Sequence, residues 1–477
     1  MHLDSNVVAA ELGAAGFKDR RLASRLQGLA KKLILKPDES FPMALGSSAE
    51  LEAAYRFFGN VAVNPDAILD GHFKGLRQRC EREGTVLAIH DTTTISFRHD
   101  GQRRGDDGKA LPKQRFYAHV SLVVSDDGVR RPLGIAGLDT WYRGASFGSG
   151  SEGEGGGWHD EYDRWWLMAQ LTAQRLSHEN VVHIMDREAD DYWLFHNLTS
   201  NGQRFIARAR ASGKRTRLLV DDDFRQLHEA VASMEMSVER DVKLSKRRKK
   251  GSKVHDDIHP PRESRLTRLS IAARPLTLKR PKRHPKQSKA RRASSMEPTI
   301  SLNVVRVWEP TPPTGEKPVE WVLLTNDPID SVEQILKIVD RYRARWTIEE
   351  YFKALKTGCA YESRQLADYD SLANALAVFA PIACTLLDLR SEARRTPDAP
   401  AELVLTKSQL EVLRVMGRVP LPEAPTQREA LLAVAALGGH IKWNGEPGWQ
   451  TLGSGYRELL TLTAGWEAAK LHLARDQ

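Results

Sequence analysis

Two runs of apolar residues, at positions 85–91 and 180–186, each lead directly into an aspartate. Near-continuous apolar runs of this length, rich in valine and isoleucine, are typical of central strands that are buried on both faces of a sheet. A carboxylate at the C-terminal end of such a strand lies where the sheet opens to a ligand. The pattern therefore predicts two buried strands that end at Asp91 and Asp186.

A third segment, residues 342–356, has the pattern of a helix. At about 100° per residue, five of its polar side chains fall within roughly 80° of one another. These side chains are Tyr342, Arg345, Glu349, Lys353 and Lys356. The opposite side carries Ile348, Tyr351, Phe352 and Leu355 and should be buried. The polar face suits a surface that meets metal ions and phosphates, and it equally suits an exposed face with ordinary i,i+4 charge pairs.

Residues 1 to about 70 form a predicted helical unit with a basic face. A helix that begins at Asp19, or just after Gly16, and ends at Lys36-Pro37 has an apolar stripe of leucines. The stripe consists of Leu22, Leu26, Leu29 and Leu33, and the basic side chains of the same helix are Arg20, Arg21, Arg25 and Lys32. A second helix is expected at about 48–58. Such a unit is a candidate for DNA recognition, although a plain amphipathic helix explains the same pattern.

Strands and helices alternate through the middle of the chain. Strands are predicted at 85–97, 116–125 and 130–142, followed by a glycine-rich loop at 144–157, a helix at 160–177, the strand that ends at Asp186 and a helix to about 198. Short apolar runs indicate an inserted β subdomain at about 209–330. This alternation favours an α/β fold with a mixed sheet that helices cover.

The last third of the chain is predicted to be helical. A helix that starts near 331 should continue to about 357, with or without a break, and an apolar helix should cover 371–392. A linker is expected at 394–403, and amphipathic helices are expected near 407–416, 426–437 and 454–473.

Length and composition narrow the class of protein. A chain of 477 residues is too long for one ordinary core, so two or three domains are expected. No apolar run approaches the roughly 18 residues that span a bilayer, and a signal-peptide pattern is not seen. With three cysteines and no paired spacing, we expect a cytoplasmic location without zinc or disulfides. A Gly-x4-Gly-Lys-Ser/Thr run does not occur, so no nucleotide cofactor is expected.

The net charge of +9 conceals an uneven distribution. Residues 240–292 hold 20 lysines and arginines against 4 acidic residues, while the rest of the chain has a balance of −7. Such a basic block suits polyanion binding through counterion release. A solvated, disordered loop is the alternative.

Asp91, Asp186 and Glu349 together form a sparse set of oxygen ligands. Mg²⁺ prefers oxygen ligands and usually takes few carboxylates. Two such ions about 4 Å apart can assist an in-line phosphodiester displacement. An aspartate at a strand end is more often a turn former or helix cap, so the set alone does not decide the chemistry.

Three motifs connect these residues to a known family. The order Tyr342-x2-Arg345-x3-Glu349-x6-Lys356 resembles the Y-R-E-K signature of bacterial DDE transposases of the insertion-sequence-four group. Residues 186–190 (DREAD) and Asp91-Thr92-Thr93 resemble the segments around the two catalytic aspartates of that group. Weaker similarity occurs at 54–57, 323–325 and 437–439. The resemblance covers nearly the whole chain, in order.

The resemblance implies an RNase H-like catalytic core at 71–392 with the β insertion, a helical DNA-binding domain at 1–70 and a helical dimerisation domain at 393–477. It also implies that Asp91, Asp186 and Glu349 are the catalytic metal ligands. The expected cofactor is Mg²⁺, with Mn²⁺ as a substitute and two ions per site. The implied partners are the inverted ends of a mobile element, target DNA and a second copy of the chain in a synaptic complex.

The same resemblance implies contacts to DNA. Tyr342, Arg345 and Lys356 would hold the DNA end, with Arg208 and Lys353 as further contacts. Family members cleave through a hairpin whose flipped base is held by aromatic side chains, and Trp321 and Trp346 stand in the matching places. A tryptophan in an apolar strand is otherwise usually part of a core.

The expected function is a cut-and-paste DNA transposase. Two alternatives stay open from the sequence: a non-catalytic DNA-binding derivative of such an enzyme, and an RNase H-like nuclease without strand transfer. The intact carboxylate set argues against the first, and the aromatic side chains argue against the second.

Overall fold

The computed structural model describes residues 5–97, 102–105, 108–142, 161–177, 180–210, 226–244, 261–281, 296–441 and 446–473. Contacts divide the chain into two compact units. The first unit comprises Met1–Gly155, Met168–Asn180 and Trp346–Gln477, and the second comprises Gly156–Leu167 and Val181–Arg345. The predicted glycine-rich loop at 144–157 and most of the basic block at 240–292 lie outside the described residues.

The first unit begins with five helices. They are α1 (Ser5–Gly13), α2 (Arg20–Leu35), α3 (Phe41–Leu45), α4 (Ser48–Phe58) and α5 (Pro65–Cys80). The Asp19 side chain caps α2 by accepting the backbone N–H of Arg21, and the helix ends at its C-cap, Lys36. Leu26, Leu29 and Leu33 are buried, as the leucine stripe predicts. The predicted bounds of α2 and α4 are therefore confirmed.

An antiparallel arrangement of three strands follows in the same unit. The strands are β1 (Val86–Ser96), β2 (Arg115–Ser125) and β3 (Pro132–Trp141), in the order β3-β2-β1. The predicted strand at 85–97 is confirmed as β1. Asp91 pairs with Val120 near the middle of this strand, so the expectation that the strand ends at Asp91 is wrong. The β-branched residues after Asp91 favour extended backbone, and pairing with β2 continues through them to Ser96.

Helices complete the first unit. They are the C-terminal part of α6 (Glu161–Leu176), α10 (Trp346–Lys353) with a π-helical turn (Ala354–Gly358), α11 (Tyr369–Arg395), α12 (Lys407–Met416), α13 (Gln427–Leu437) and α14 (Trp449–Leu473). The predicted C-terminal helices are confirmed, with α14 starting five residues earlier than the predicted 454. Helix α11 is long and apolar enough to cross a membrane, contrary to expectation, but its apolar window is wholly buried within the protein. Its composition is that of a core helix.

The second unit contains a mixed sheet. Its strands are β4 (Val181–Met185), β5 (Arg204–Arg208), β6 (Val238–Leu244), β7 (Arg265–Lys279), β8 (Thr299–Trp308) and β9 (Glu320–Thr325), in the order β4-β5-β9-β8-β7-β6. β4 and β5 are parallel, and the other neighbours are antiparallel. Its helices are α7 (Tyr192–Ser200), α8 (Leu227–Ala232) and α9 (Val332–Arg343). The predicted fold class, an α/β RNase H-like core with β strands in the 209–330 insertion and flanking helices, is confirmed.

The helix predicted to run from about 331 to 357 is interrupted. The N–H groups of Ala344 and Arg345 donate to the carbonyl oxygens of Arg341 and Tyr342, three residues back, and this tighter turn closes α9 before α10 starts at Trp346. The predicted polar stripe is therefore not one face of a single helix.

All three cysteines are free thiols inside the first unit. Cys80, Cys359 and Cys384 are buried. Burial raises the pKa of both Cys80 and Cys359 to about 12, and it raises the pKa of Cys384 as well. The thiolate form is therefore strongly disfavoured at neutral pH.

Candidate catalytic site and nucleic-acid interface

Asp91 lies where β1 changes from fully buried to half-buried positions. Its Oδ1 accepts the backbone N–H of Thr92 at 2.8 Å. The Thr92 hydroxyl in turn shares a 2.8 Å hydrogen bond with Nδ1 of His119, which is fully buried on β2. The buried imidazole of His119 therefore holds Thr92, whose backbone N–H supports Oδ1 of Asp91. The sequence alone did not reveal this relationship.

Glu349 is half-buried in the first turn of α10, the helix that packs against β1 in the first unit. Ile348 and Tyr351 are completely buried and anchor this helix, and the Tyr351 hydroxyl donates to the carbonyl oxygen of Ala380 at 3.3 Å. The N-terminal turn of a helix favours negative charge. The first unit therefore brings together the elements that carry Asp91 and Glu349.

The two lysines of the predicted stripe have protein partners. Lys353 forms an ion pair with Glu350 at 2.6 Å and remains about half exposed. Lys356 is more buried and donates to the carbonyl oxygen of Thr94 in β1 at 2.5 Å, with Glu362 3.7 Å away. Burial lowers the pKa of Lys356, and Glu362 opposes that shift.

Asp186 belongs to the second unit and directly follows β4, as predicted. Its Oδ1 accepts the N–H of Glu188 at 2.7 Å and so caps a short 3₁₀ turn, Arg187–Ala189. The helix-cap interpretation is therefore correct for this aspartate. A cap of this kind fixes the orientation of the carboxylate.

Tyr342 is the centre of a charged cluster in the second unit. Its side chain is buried, and its ring packs edge-on against Trp321 with centroids 5.6 Å apart. Burial raises the pKa of Tyr342, whereas the positive charges of Arg208 and Arg345 lower it and the negative charge of Asp186 raises it. Four of the predicted site residues of this unit thus interact electrostatically with one another.

Arg187 adds a further guanidinium that the sequence analysis did not select. Its side chain is exposed, and its charge acts on Arg208, whose pKa is lowered mainly by burial. The sequence feature that could have identified Arg187 is its position within residues 186–190, directly after Asp186.

The basic side chains of α2 line a groove of about 480 Å³. Arg20, Arg21, Arg25 and Lys32 contribute to its walls, together with Ser24 and Glu50. Arg21 pairs with Asp19 at 3.1 Å, and Lys32 pairs with Glu50. The predicted basic face of α2 therefore lines an open, charged groove.

The donor chemistry of Asp91, Asp186 and Glu349 fits a hard divalent cation, because all three offer carboxylate oxygens. Within the part of the chain that the structure describes, no group of three or more histidine, cysteine or acidic side chains is arranged to hold a metal ion. Two of the carboxylates belong to the first unit and the third to the second.

Comparison with known proteins decides the family. Residues 82–380 match the family model of the transposase DDE domain, and residues 4–63 match that of the transposase DNA-binding domain. The chain belongs to the DDE transposase family.

The first match contains Asp91, Asp186 and Glu349, and the second contains the whole of α2. A solved structure with some similarity to this transposase is the piggyBac transposase in a synaptic complex with hairpin DNA. It is 9% identical, over 82% of this chain and 73% of that chain, with a TM-score of 0.32.

The two tryptophans predicted to hold a flipped base differ in exposure. Trp346 is 49% exposed at the start of α10, whereas Trp321 is half-buried against Tyr342 in the transposase. Trp346 therefore offers the larger accessible ring for stacking.

Proposed function

We propose that this transposase carries out cut-and-paste transposition and is a member of the insertion-sequence-four group that resembles the transposon-five enzyme. The supporting observation is the packing of the helix that carries Glu349 against the strand that carries Asp91, within the DDE domain match.

Asp91, Asp186 and Glu349 would be the metal ligands in this reaction. Mg²⁺ or Mn²⁺, two ions per site, would increase the acidity of the attacking hydroxyl and stabilise the leaving oxygen. Water would be the first nucleophile, and the released 3′-hydroxyl would attack next. The Thr92 N–H holds Asp91, and the Glu188 N–H holds Asp186, so two of the carboxylates are already oriented.

The guanidinium cluster around Tyr342 would hold the DNA end beside Asp186. Arg208, Arg345 and the additional Arg187 supply positive charge, which a phosphate backbone requires. Lys353 would contribute from the exposed side of α10, and Lys356 would contact DNA through an N–H that its bond to Thr94 leaves available. The basic groove on α2 would bind the element end by counterion release.

A hairpin intermediate would place a flipped base against Trp346 or Trp321. Stacking of a base on an aromatic ring contributes roughly 1–3 kcal/mol, which offsets much of the cost of unstacking. The greater exposure of Trp346 favours it as the stacking platform.

We also propose three domains: a DNA-binding domain at 1–70, a catalytic core at 71–392 and a dimerisation domain at 393–477. It also includes dimerisation through the C-terminal helices in a synaptic complex on two element ends. Because the protein would act on DNA, we expect it in the cytoplasm, at the bacterial nucleoid.

The test uses purified protein, a duplex with the element's own terminal inverted repeat, and Mg²⁺ or Mn²⁺. Wild type, Glu349→Gln and the exposed-site control Glu235→Gln, after α8, are compared on denaturing gels. We expect nicked, hairpin and joined products from wild type and the control, and none from Glu349→Gln.

Cleavage by Glu349→Gln at the wild-type rate would contradict the proposed role of Glu349. Binding without cleavage by wild type would favour the non-catalytic derivative. Nicked strands without joined products would favour a nuclease that lacks strand transfer.

A further inference from the structure

Glu350, the residue after Glu349, is held by three helices of the first unit. Lys353 on α10 pairs with Oε1 of Glu350 at 2.6 Å, and Arg390 on α11 donates to Oε2 at 3.1 Å. The indole N–H of Trp449, the first residue of α14, donates to the same Oε2 at 3.2 Å. One carboxylate thus connects α10 to α11 and α14.

Charge and packing make this connection rigid. The ammonium group of Lys353 and the guanidinium group of Arg390 place two positive charges against the Glu350 carboxylate. The Arg390 guanidinium lies 4.2 Å from the centroid of the Trp449 ring, and both side chains are largely buried. Stacked, hydrogen-bonded groups of this kind have few alternative rotamers.

The backbone of α14 also makes a close contact beyond the C-terminal end of α10. A Cβ atom on Gly453 of α14 would lie 2.3 Å from the carbonyl oxygen of Gly358, at the end of the π-helical turn. Only glycine permits this approach. Helix α14 therefore contacts α10 through Glu350 and the turn that follows α10 through Gly453.

We propose that Glu350 is a positioning residue that sets the orientation of Glu349 towards the metal ions through α11 and α14. Consecutive helical residues are separated by about 100°, so a fixed Glu350 fixes the direction in which Glu349 projects. This inference rests on the proposed role of Glu349 as a metal ligand. It assigns α14, the last of the C-terminal helices, a task inside the catalytic unit of its own chain.

The experiment measures metal binding and cleavage on the full-length protein with bound element-end DNA. Mn²⁺ binding is followed by electron paramagnetic resonance, and nicking is measured across an Mg²⁺ titration. The variants are Glu350→Gln, which keeps the shape but loses the charge, and Trp449→Phe, which removes only the indole N–H. Glu235→Gln, at an exposed residue after α8, is the control.

Glu350→Gln should weaken Mn²⁺ binding and raise the Mg²⁺ concentration for half-maximal nicking by about tenfold, as is typical for residues that orient metal ligands. Saturating metal should largely restore the rate, and affinity for DNA should stay unchanged. Trp449→Phe should shift both quantities in the same direction by a few fold, and the double variant should show less than the sum of the two free-energy effects, because the residues share one contact.

An unchanged metal requirement in a folded Glu350→Gln protein would overturn the inference. If that variant fails to fold, Trp449→Phe decides the matter, and wild-type metal binding by Trp449→Phe would then overturn it. Failure of the proposed function is recognised separately, because Glu349→Gln would then still cleave DNA.

Discussion

The ammonium group of Lys356 donates a hydrogen bond to the main-chain carbonyl oxygen of Thr94, 2.5 Å away. This contact joins the turn after α10 to the half of β1 that follows Asp91. Glu362 strengthens the junction, because its Oε1 lies 3.7 Å from the ammonium and accepts the N–H of Ser96 at 2.9 Å. Lys356 therefore links β1 to the turn after α10, that is, the elements around the proposed metal ligands Asp91 and Glu349.

Lys356→Met should reduce cleavage more than DNA binding. Without the ammonium group, β1 and the turn after α10 lose a charge-assisted hydrogen bond, worth roughly 1.5–3 kcal/mol. We expect single-turnover nicking to fall by about tenfold or more, as for other groups that orient metal ligands. The control is Lys113→Met, at an exposed lysine just before β2. Lost binding with normal nicking at saturating protein would instead indicate a simple phosphate contact.

Thr92→Val should impair cleavage, and Thr92→Ser should not. Valine keeps the shape of the side chain but removes the hydroxyl that bonds to Nδ1 of His119, whereas serine retains a hydroxyl. Loss of the bond would leave Asp91 less well oriented, with an expected fall in the nicking rate of about tenfold. Equal rates for the two variants would show that the buried histidine has no part in orienting Asp91.

The groove on α2 predicts opposite effects for two substitutions. Arg25→Ala should weaken binding to the element end and reduce the slope of log K against log salt by about 0.9, because one phosphate contact is lost. Glu50→Gln should strengthen binding, since it removes the carboxylate that pairs with Lys32 in the groove. Fluorescence anisotropy over a salt series measures both effects. Unchanged slopes would exclude the groove from the interface.

Acidification should destabilise the protein through His183. Burial in β4 lowers the pKa of His183 to about 4, below the 6.5 of an exposed histidine. The unfolded state therefore binds more protons between these values, so stability is full above about pH 6.5 and falls as the pH drops towards 4. The loss is on the order of 3 kcal/mol.

Chemical denaturation at several pH values measures this loss. His183→Gln should flatten the pH dependence over the same interval. Some slope should persist, because burial also lowers the pKa of His72. An unchanged slope in the variant would show that His183 is not the titrating group.

Local signals predicted the elements that local interactions determine. The Asp19 cap and the leucine spacing gave the bounds of α2, and the apolar run before Asp186 gave β4. The predicted strand at 85–97 matches β1, whereas the expectation that a buried strand ends at Asp91 was wrong, because pairing with β2 continues to Ser96. The turn between α9 and α10 was not located because its residues are ordinary helix formers, so no local pattern marks the break.

The supports of the candidate site were the least predictable part. Glu350 reads as one more charged residue, yet its partners Arg390 and Trp449 lie 40 and 99 positions away in the sequence. His119 reads as part of an apolar strand until β2 is placed beside Thr92. Motif spacing predicts the reacting groups, whereas the groups proposed to orient them come from distant segments.

The burial of all three cysteines has a practical consequence for observing this protein at work. Because none of its own thiols is accessible and reactive, no native cysteine has to be replaced before a dye is attached to an introduced one. A cysteine in place of Val61, fully exposed after α4, would be the only site that a maleimide fluorophore modifies at neutral pH. Energy transfer between two such labelled molecules would then report, in real time, the moment at which two element ends are brought together.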